Sequence, residues 1–267
     1  MTGQAAIEVV AHRGSSAVHP ESTRAAYRAA VELARRTGHR VELEGDVHFS
    51  ADDQLVVLHD LTLRRTGGRP DAVAELTVAE LKQVDVGSWK VPDPTPEQRE
   101  LITFAELLDL VAGARDEGVD VGLAVETKHP TARGLDVDRR ALEQLADRGW
   151  TRPGAPVRMI SFEPRAVALA GKLAPALRRS LLVEKDLGPW ADGHLPEGVD
   201  TVGVDHRLAE RHPGWVDRLL ARGHRLHLWT VNDTEAMRRW LDRGATGLTT
   251  DHPDRALAVV HGDPVPS

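Results

Sequence analysis

Residues 41–60 read VELEGDVHFSADDQLVVLHD and open with a regular alternation of apolar and polar side chains. Successive side chains of a strand point to opposite faces, so one face is apolar and the other carries Glu42, Glu44, Asp46 and His48. The flanking strand–helix–strand order is typical of a parallel sheet covered on both faces. Buried carboxylates need a counter-charge, and Glu44 and Asp46 are therefore candidate ligands of one hard cation. A solvated edge strand is the alternative that this pattern leaves open.

The second half of the same segment ends in a histidine beside a carboxylate. Asp52 and Asp53 favour a turn, and the short apolar run 55–58 leads into His59 and Asp60. An imidazole at the end of a buried strand is well placed to move protons near neutral pH. His59 is therefore a candidate acid–base residue, and it gains weight because it closely follows an acidic strand.

The composition excludes several classes of protein. The chain has 267 residues, with 34 Lys and Arg against 41 Asp and Glu, which gives a formal net charge of −7. A nucleic-acid-binding protein usually presents a basic face, so we expect no nucleic-acid partner. The absence of cysteine excludes disulfides and thiolate metal sites. Any metal must then be bound by carboxylate, carbonyl or imidazole groups.

The N-terminus and the hydropathy predict neither export nor membrane insertion. The first ten residues, MTGQAAIEVV, lack a basic segment followed by an apolar one, which argues against a signal peptide. No apolar run is long enough to cross a bilayer, so we expect no transmembrane segment. These two features favour a cytoplasmic location.

Eight short apolar runs, mostly separated by helical segments, predict an α/β protein with a (β/α)₈ TIM-barrel fold. The runs cover residues 7–11, 41–49, 121–125, 157–160, 179–183, 201–204, 225–230 and 246–249. We expect no long helix behind the fifth run. Residues 61–101 break the alternation and are too few to bury a core of their own. We therefore predict a small insertion within a single domain that spans residues 1–267.

Polar side chains follow six of the eight predicted strands. His12 and Arg13 follow the first strand, and Glu126 and Lys128 follow the third. Because the carboxyl ends of barrel strands meet at one mouth, these groups are expected to converge on one active site. Taken singly, His12 could be structural, Arg13 a surface residue, and the acid–lysine pair a local ion pair of little consequence.

Six motifs in this order resemble those of the glycerophosphodiester phosphodiesterase family over nearly the whole chain. They are AHRGSS with PEST (residues 11–16 and 20–23), ELEGDVHFSADDQLVVLHD (42–60), AVETK (124–128), ISF (160–162), LWTVND (228–233) and GLTTDHPD (247–254). The resemblance implies a TIM barrel with an insertion after the second strand. It also implies a small-molecule substrate, a glycerophosphodiester that is hydrolysed to sn-glycerol 3-phosphate and an alcohol.

The same resemblance implies a cofactor and an acid–base pair. A divalent metal ion, Ca²⁺ or Mg²⁺, would be held by Glu44, Asp46 and Glu126. His12 and His59 would transfer the protons, one activating the nucleophile and the other protonating the leaving alcohol. We favour His59 as the acid and His12 as the base, although the sequence leaves their order open. The nucleophile is either water or a substrate hydroxyl that first forms a cyclic phosphate.

The remaining implied contacts are to the substrate and behind the site. Arg13 would bind phosphate through paired, charge-assisted hydrogen bonds, and Lys128 would add a point charge. Trp229 would line the glycerol pocket, although a tryptophan on a barrel strand is by default a core residue. Glu21 is expected to support the site residues without contacting substrate.

Two positions depart from the family pattern. Ser22 stands where the family commonly has Asn, which affects hydrogen bonding around the site but removes no expected ligand. Glu42 occupies a position that is usually uncharged. If Glu42 faces inward it needs a partner, for which Arg158 and Arg179 are the candidates.

Rival functions come from the same and from a different class. A lysophospholipase D or a phospholipase C-like phosphodiesterase would use the same barrel, but a lipid substrate requires an apolar groove at the mouth. A catalytically silent phosphodiester-binding protein is the alternative outside enzymes, and the presence of both histidines and all three acids argues against it. The head group, the metal and the oligomeric state are left open by the sequence.

Overall fold

Eight parallel strands close into a barrel in the computed structural model, which describes residues 6–266. The strands in chain order are β1 (Glu8–Ala11), β2 (Val41–Phe49), β3 (Leu55–Val57), β4 (Val121–Thr127), β5 (Val157–Ser161), β6 (Arg178–Val183), β7 (Thr201–Asp205), β8 (Arg225–Trp229) and β9 (Gly247–Thr250). The barrel runs β1-β9-β8-β7-β6-β5-β4-β2 and closes through β1 against β2, while β3 pairs antiparallel with β2. The predicted (β/α)₈ TIM barrel is confirmed.

Helices surround the barrel and mostly separate its strands, as the predicted (β/α)₈ order requires. They are α1 (Arg24–Thr37), α2 (Val78–Leu81), α3 (Pro96–Arg99), α4 (Phe104–Asp116), α5 (Asp136–Asp147), α6 (Pro164–Leu173), α7 (His206–Arg211), α8 (Pro213–Ala221), α9 (Thr234–Asp242) and α10 (Pro253–His261). After β6 only a 3₁₀ turn, Gly188–Trp190, precedes β7, as expected for the fifth barrel strand. Helices α3 and α7 were not predicted: α3 begins within the proline-rich stretch VPDPTP (91–96), which indicates a loop, and α7 spans only six residues.

The segment between β3 and α4 packs a small apolar cluster of its own. Its buried members are Val56, Leu58, Leu63, Val73, Leu81, Val84, Val86 and Leu101. Val56 belongs to β3, which pairs with the barrel strand β2, so the cluster packs partly against the barrel. Residues 61–101 thus remain our proposed insertion within one domain of residues 1–267.

No helix in residues 6–266 is both long enough and apolar enough to cross a membrane. Residues 1–5, which form part of the segment on which the expectation of no signal peptide rests, lie outside the described residues.

Both faces of β2 are buried. Val41, Leu43 and Val47 join the main apolar core between barrel and helices. The acidic face points into the barrel, where Glu42, Glu44 and Asp46 are all at most 4 % exposed. The solvated edge strand is therefore excluded, since β2 is hydrogen-bonded to a parallel strand on each side.

Glu42 is neutralised by arginines at the amino-terminal end of the barrel. Its carboxylate lies 3.0 Å from Nη2 of Arg158 and 2.7 Å from Nη2 of Arg178. The predicted partner Arg158 is confirmed, and the predicted partner Arg179 is wrong. Neighbouring strand residues point to opposite faces, so Arg178 faces inward while Arg179 donates to backbone carbonyls such as that of Gly198.

Glu8 completes this buried ion network, which we name the barrel floor and define as Glu8, Glu42, Arg158, Arg178, Arg225 and His227. Glu8 accepts from Arg158 at 3.0 Å and from Arg225 at 2.8 Å, and lies 3.2 Å from His227. Burial, reinforced by the Arg158 charge, lowers the pKa of His227 to about 4 against the opposing effect of Glu8. Gly247 makes room for the His227 ring, because a Cβ there would lie 2.4 Å from it.

Gly247→Ala should therefore destabilise the protein by overpacking the barrel floor. We expect a loss of about 1–3 kcal/mol in the free energy of unfolding, the usual cost of an extra methyl group in a packed core. The control is Gly113→Ala in α4, where an added Cβ meets nothing within 4 Å. That change should stabilise the protein by about 0.5–1 kcal/mol through higher helix propensity. Urea unfolding of both variants tests this, and equal stability of Gly247→Ala and wild type would contradict it.

Candidate active site

The predicted site residues meet at the carboxyl ends of the barrel strands, around a cavity of about 560 Å³. Its lining includes His12, Arg13, Glu44, His59, Glu126, Lys128 and Trp229. Asp46 and Glu21 lie just behind this lining, in contact with Arg13. The expected convergence on one mouth is thus present in the geometry, since every barrel strand delivers its carboxyl end to the same side.

A second groove, of about 730 Å³, lies between α1 and α4, away from the mouth. Its charged side chains pair with one another across the groove, as in Arg24 with Glu106 and Arg28 with Glu97. Because every acid that lines the groove pairs with a basic side chain and the groove carries no histidine, the candidate site is the barrel mouth.

Three buried carboxylates form the centre of the mouth. Glu44 and Asp46 come from β2 and Glu126 from β4, with Asp46 and Glu126 directly paired in the strand register. One oxygen of each lies within 4.8 Å of the others. Burial, together with the charge of Asp46, raises the pKa of Glu126 to about 7 and that of Glu44 well above its ordinary value. Such crowding is unfavourable unless a cation compensates it.

Two cationic side chains offset part of this negative charge. Nζ of Lys128 lies 2.7 Å from both Asp46 and Glu126. Arg13 places Nε 3.4 Å from Asp46 and donates its backbone N–H to Glu44 at 2.9 Å. Burial acts to raise the pKa of Asp46, but Lys128 and Arg13 lower it below its ordinary range. If all three carboxylates ionise, they outnumber the two cations by one charge, and the raised pKa values of Glu44 and Glu126 reflect the cost of that excess.

This donor set fits a hard divalent cation. All three candidate ligands are carboxylates, the preferred ligands of Ca²⁺ and Mg²⁺, and all are buried. The excess negative charge and the raised pKa values of Glu44 and Glu126 are relieved by added positive charge. Glu44, Asp46 and Glu126 are therefore the residues that would hold such an ion.

His12 is oriented by a carboxylate from the last barrel strand. Its Nδ1 lies 2.7 Å from Oδ1 of Asp251, which follows β9. Ser16 donates to the same oxygen at 2.9 Å, and Asn232 donates to the other at 2.7 Å. Burial acts to raise the pKa of Asp251, but the contact with His12 and the Asn232 hydrogen bond lower it below its ordinary value. An ionised Asp251 orients the His12 ring through Nδ1, which leaves Nε2 available to exchange a proton.

His59 is held in the same way by its neighbour in sequence. Its Nδ1 lies 2.7 Å from Oδ1 of Asp60. Burial lowers the pKa of His59 below its ordinary value, assisted by the charges of Arg13 and Lys128 and opposed by Asp46. Two imidazoles at one cavity, each with Nδ1 on a carboxylate, are an arrangement suited to paired proton transfer.

Trp229 ends β8 and forms an aromatic wall of the cavity. Its ring meets that of Phe162 edge-on, with centroids 5.6 Å apart and planes at 87°. The indole Nε1 is buried and has no hydrogen-bond partner among the described residues. A buried donor of this kind is costly unless a ligand or water satisfies it.

The backbone after β1 and before α1 is shaped to present Arg13. Arg13 and Ser22 both adopt left-handed conformations, with φ of 56° and 59°. The backbone N–H of Ser22 donates to the carbonyl of Arg13 at 3.0 Å. Asn tolerates this conformation better than most residues, which gives a physical reason for the Asn that the family resemblance implies at the Ser22 position.

Four supporting residues were not assigned by the sequence analysis: Asp251, Asn232, Ser16 and Arg65. Asp251 and Asn232 lie inside the motifs quoted above, so their position after the last two strands was the available signal. In a closed barrel the last strand adjoins the first, which brings Asp251 to His12. Arg65 lies in the proposed insertion, where no periodic pattern pointed to it.

Comparison with known proteins identifies the family. The model of the Glycerophosphoryl diester phosphodiesterase family matches residues 12–255. The chain is 32% identical over 257 residues to the probable glycerophosphodiester phosphodiesterase 1 of Mycobacterium tuberculosis, covering 94% of this chain and 91% of that protein. It is 30% identical over 270 residues to the glycerophosphodiester phosphodiesterase of Bacillus subtilis, covering 96% and 87%.

Solved structures agree on the fold. An Oleispira antarctica phosphodiesterase, in complex with the product sn-glycerol-3-phosphate, superposes with a TM-score of 0.80. That pair is 24% identical, and the match covers 95% of this chain and 96% of the other. The family match begins directly after β1 and covers the other barrel strands and the mouth, and the chain therefore belongs to the glycerophosphoryl diester phosphodiesterase family.

Proposed function

We propose that this protein is a phosphoric diester hydrolase that cleaves glycerophosphodiesters to sn-glycerol 3-phosphate and an alcohol. The observation that carries the proposal is the convergence, at one cavity, of a carboxylate triad, two cations and two carboxylate-oriented histidines. A phosphodiester anion repels nucleophiles and has a poor leaving group. The cations reduce the repulsion, and a histidine can protonate the leaving alcohol. The names of the Mycobacterium and Bacillus relatives support the same reaction.

Arg13 and Lys128 bind the phosphodiester in this proposal. The guanidinium of Arg13 makes paired hydrogen bonds to non-bridging oxygens, and the ammonium of Lys128 adds a point charge. A Ca²⁺ or Mg²⁺ ion held by Glu44, Asp46 and Glu126 would supply Lewis-acid stabilisation of the phosphoryl oxygens. Trp229 packs against the glycerol backbone and offers its indole N–H to a hydroxyl.

His12 and His59 transfer the protons. His12 removes the proton of the nucleophile, with Asp251 stabilising the imidazolium that forms. His59 donates to the leaving alcohol oxygen, and its lowered pKa makes its protonated form a stronger acid than free imidazolium. The nucleophile is water or the neighbouring glycerol hydroxyl, and ³¹P NMR during turnover separates the two by the presence of a cyclic phosphate.

Metal removal should abolish turnover. We expect EDTA to stop release of sn-glycerol 3-phosphate from glycerophosphocholine, because the carboxylate cluster then repels the substrate anion. Addition of Ca²⁺ or Mg²⁺ should restore activity, and the ion that restores it most fully names the cofactor. Full activity in EDTA, with the protein folded by circular dichroism, would contradict the metal site.

Replacement of either histidine should cost about 10²–10⁴-fold in kcat, the usual contribution of general acid–base catalysis. The variants are His12→Ala and His59→Ala, assayed on glycerophosphocholine. The matched control is His194→Ala, which removes an exposed His–Asp pair with a similar Nδ1 to Asp192 distance of 2.8 Å. Near-normal kcat in both mouth variants would remove the acid–base assignment.

The order of the two roles is tested with a leaving group that needs no proton. A p-nitrophenyl ester of glycerol 3-phosphate releases a stabilised phenolate, so loss of the acid is then tolerated. We expect His59→Ala to regain most of its activity on this ester, while His12→Ala stays impaired on both substrates. The reverse result would exchange the two roles.

A lysophospholipase D activity is the second candidate, favoured by the cavity wall. Phe162, Leu187 and Trp190 line the cavity, and Phe162 is 38% exposed. These apolar groups could accept an acyl chain. A higher kcat/KM for lysophosphatidylcholine than for glycerophosphocholine would establish this activity, and release of phosphocholine in place of choline would indicate phospholipase C-like cleavage. Binding of inorganic phosphate without any turnover would indicate a silent binding protein.

A further inference from the structure

Arg65 bridges two carboxylates behind the mouth. Its Nε donates to Asp60 at 2.8 Å, and its Nη2 lies 3.1 Å from the same carboxylate. Towards Glu21, Nη1 donates at 2.8 Å and Nη2 at 2.7 Å. One guanidinium thus binds both oxygens of two acids that lie 39 positions apart in the chain.

Each of these carboxylates also contacts a residue with a proposed role in the reaction. Oδ1 of Asp60 lies 2.7 Å from Nδ1 of His59. Oε1 of Glu21 accepts from Nη1 of Arg13 at 2.7 Å. The contacts form one unbroken series, His59–Asp60–Arg65–Glu21–Arg13, which we name the Arg65 relay.

An exposed ion pair ordinarily contributes little, because both side chains are solvated and lose rotamer freedom. Arg65 differs in three respects. Its contacts are bidentate on both sides, its partner Glu21 is only 10% exposed, and its guanidinium lies 5.6 Å from the Trp89 ring. Planar forked donors aligned with carboxylates restrict geometry in a way that a single ammonium does not.

We propose that Arg65 is a positioning residue: it fixes Asp60 relative to Glu21 and thereby holds His59 and Arg13 in register on one phosphodiester. The inference rests on the proposed function, which assigns proton transfer to His59 and phosphate binding to Arg13. The inference also assigns a role to residues 61–101, since this segment contains both Arg65 and Trp89, whose ring lies beside the Arg65 guanidinium. A misplacement of about 1 Å in a reacting group costs roughly 10² in rate, which sets the scale of the effect.

The test compares Arg65→Gln and Arg65→Lys with the neighbouring control Arg64→Gln. Arg64 is exposed and makes no ion pair within residues 6–266. We expect kcat on glycerophosphocholine to fall about 10²-fold in Arg65→Gln and less in Arg65→Lys, with KM raised by a smaller factor because Arg13 also binds the phosphate of the bound substrate. Millimolar guanidinium should restore part of the kcat of Arg65→Ala and leave the control unaffected. A kcat for Arg65→Gln within twofold of the control would overturn the proposal.

A spectroscopic measurement separates this inference from the proposed function. The side-chain Nε resonance of Arg13, identified by its loss in Arg13→Lys, should shift in Arg65→Gln and remain in place in Arg64→Gln. This readout needs no turnover, so it still decides the Arg65 relay if wild type hydrolyses no glycerophosphodiester. An unshifted Arg13 resonance in Arg65→Gln would overturn the relay, whereas absent wild-type turnover alone would overturn the proposed reaction.

Discussion

The burial of acidic side chains inside the barrel is the constraint on which the rest of this structure depends. Strand β2 points Glu42, Glu44 and Asp46 inward, and each is almost completely buried. Ionised carboxylates in such surroundings are unstable unless positive charge or hydrogen-bond donors compensate them. The two ends of the barrel compensate these carboxylates to different degrees. That difference distinguishes the structural end from the end that carries the candidate active site.

At the barrel floor the compensation is complete and internal. Glu8 and Glu42 face Arg158, Arg178 and other basic groups, so the acids stay ionised and the pKa of Glu42 lies below its ordinary value despite its burial. At the mouth the compensation by Arg13 and Lys128 is incomplete, and carboxylate pKa values rise. An under-compensated cluster of oxygen ligands is poised to bind a cation, and perturbed pKa values of this kind concentrate at functional sites.

Closure of the barrel explains how the two histidines at the mouth acquire their carboxylate partners. Strand β9 adjoins β1, so Asp251 reaches His12 across 239 positions of sequence. His59 contacts the adjacent Asp60, and the Arg65 relay connects that pair to Arg13. Much of the site therefore consists of side chains whose geometry is set by neighbours outside the cavity lining, a common feature of precise catalytic sites.

The strand pattern predicted the barrel, and the motifs together with the family they resemble predicted the residues now found around the mouth, because strand alternation and the order of motifs are properties of the chain itself. For β2 the pattern favoured an inward acidic face but left a solvated edge strand open. Pattern was insufficient for the partners of those residues. From the sequence, Glu42 could pair with Arg158 or with Arg179. Only the structure shows that Arg178 of β6 faces into the barrel and is the second arginine in contact with Glu42. Barrel closure and the packing of residues 61–101 revealed the contacts made by Asp251, Asn232 and Arg65. Contacts between distant segments depend on how the strands are ordered in space, which local pattern does not specify.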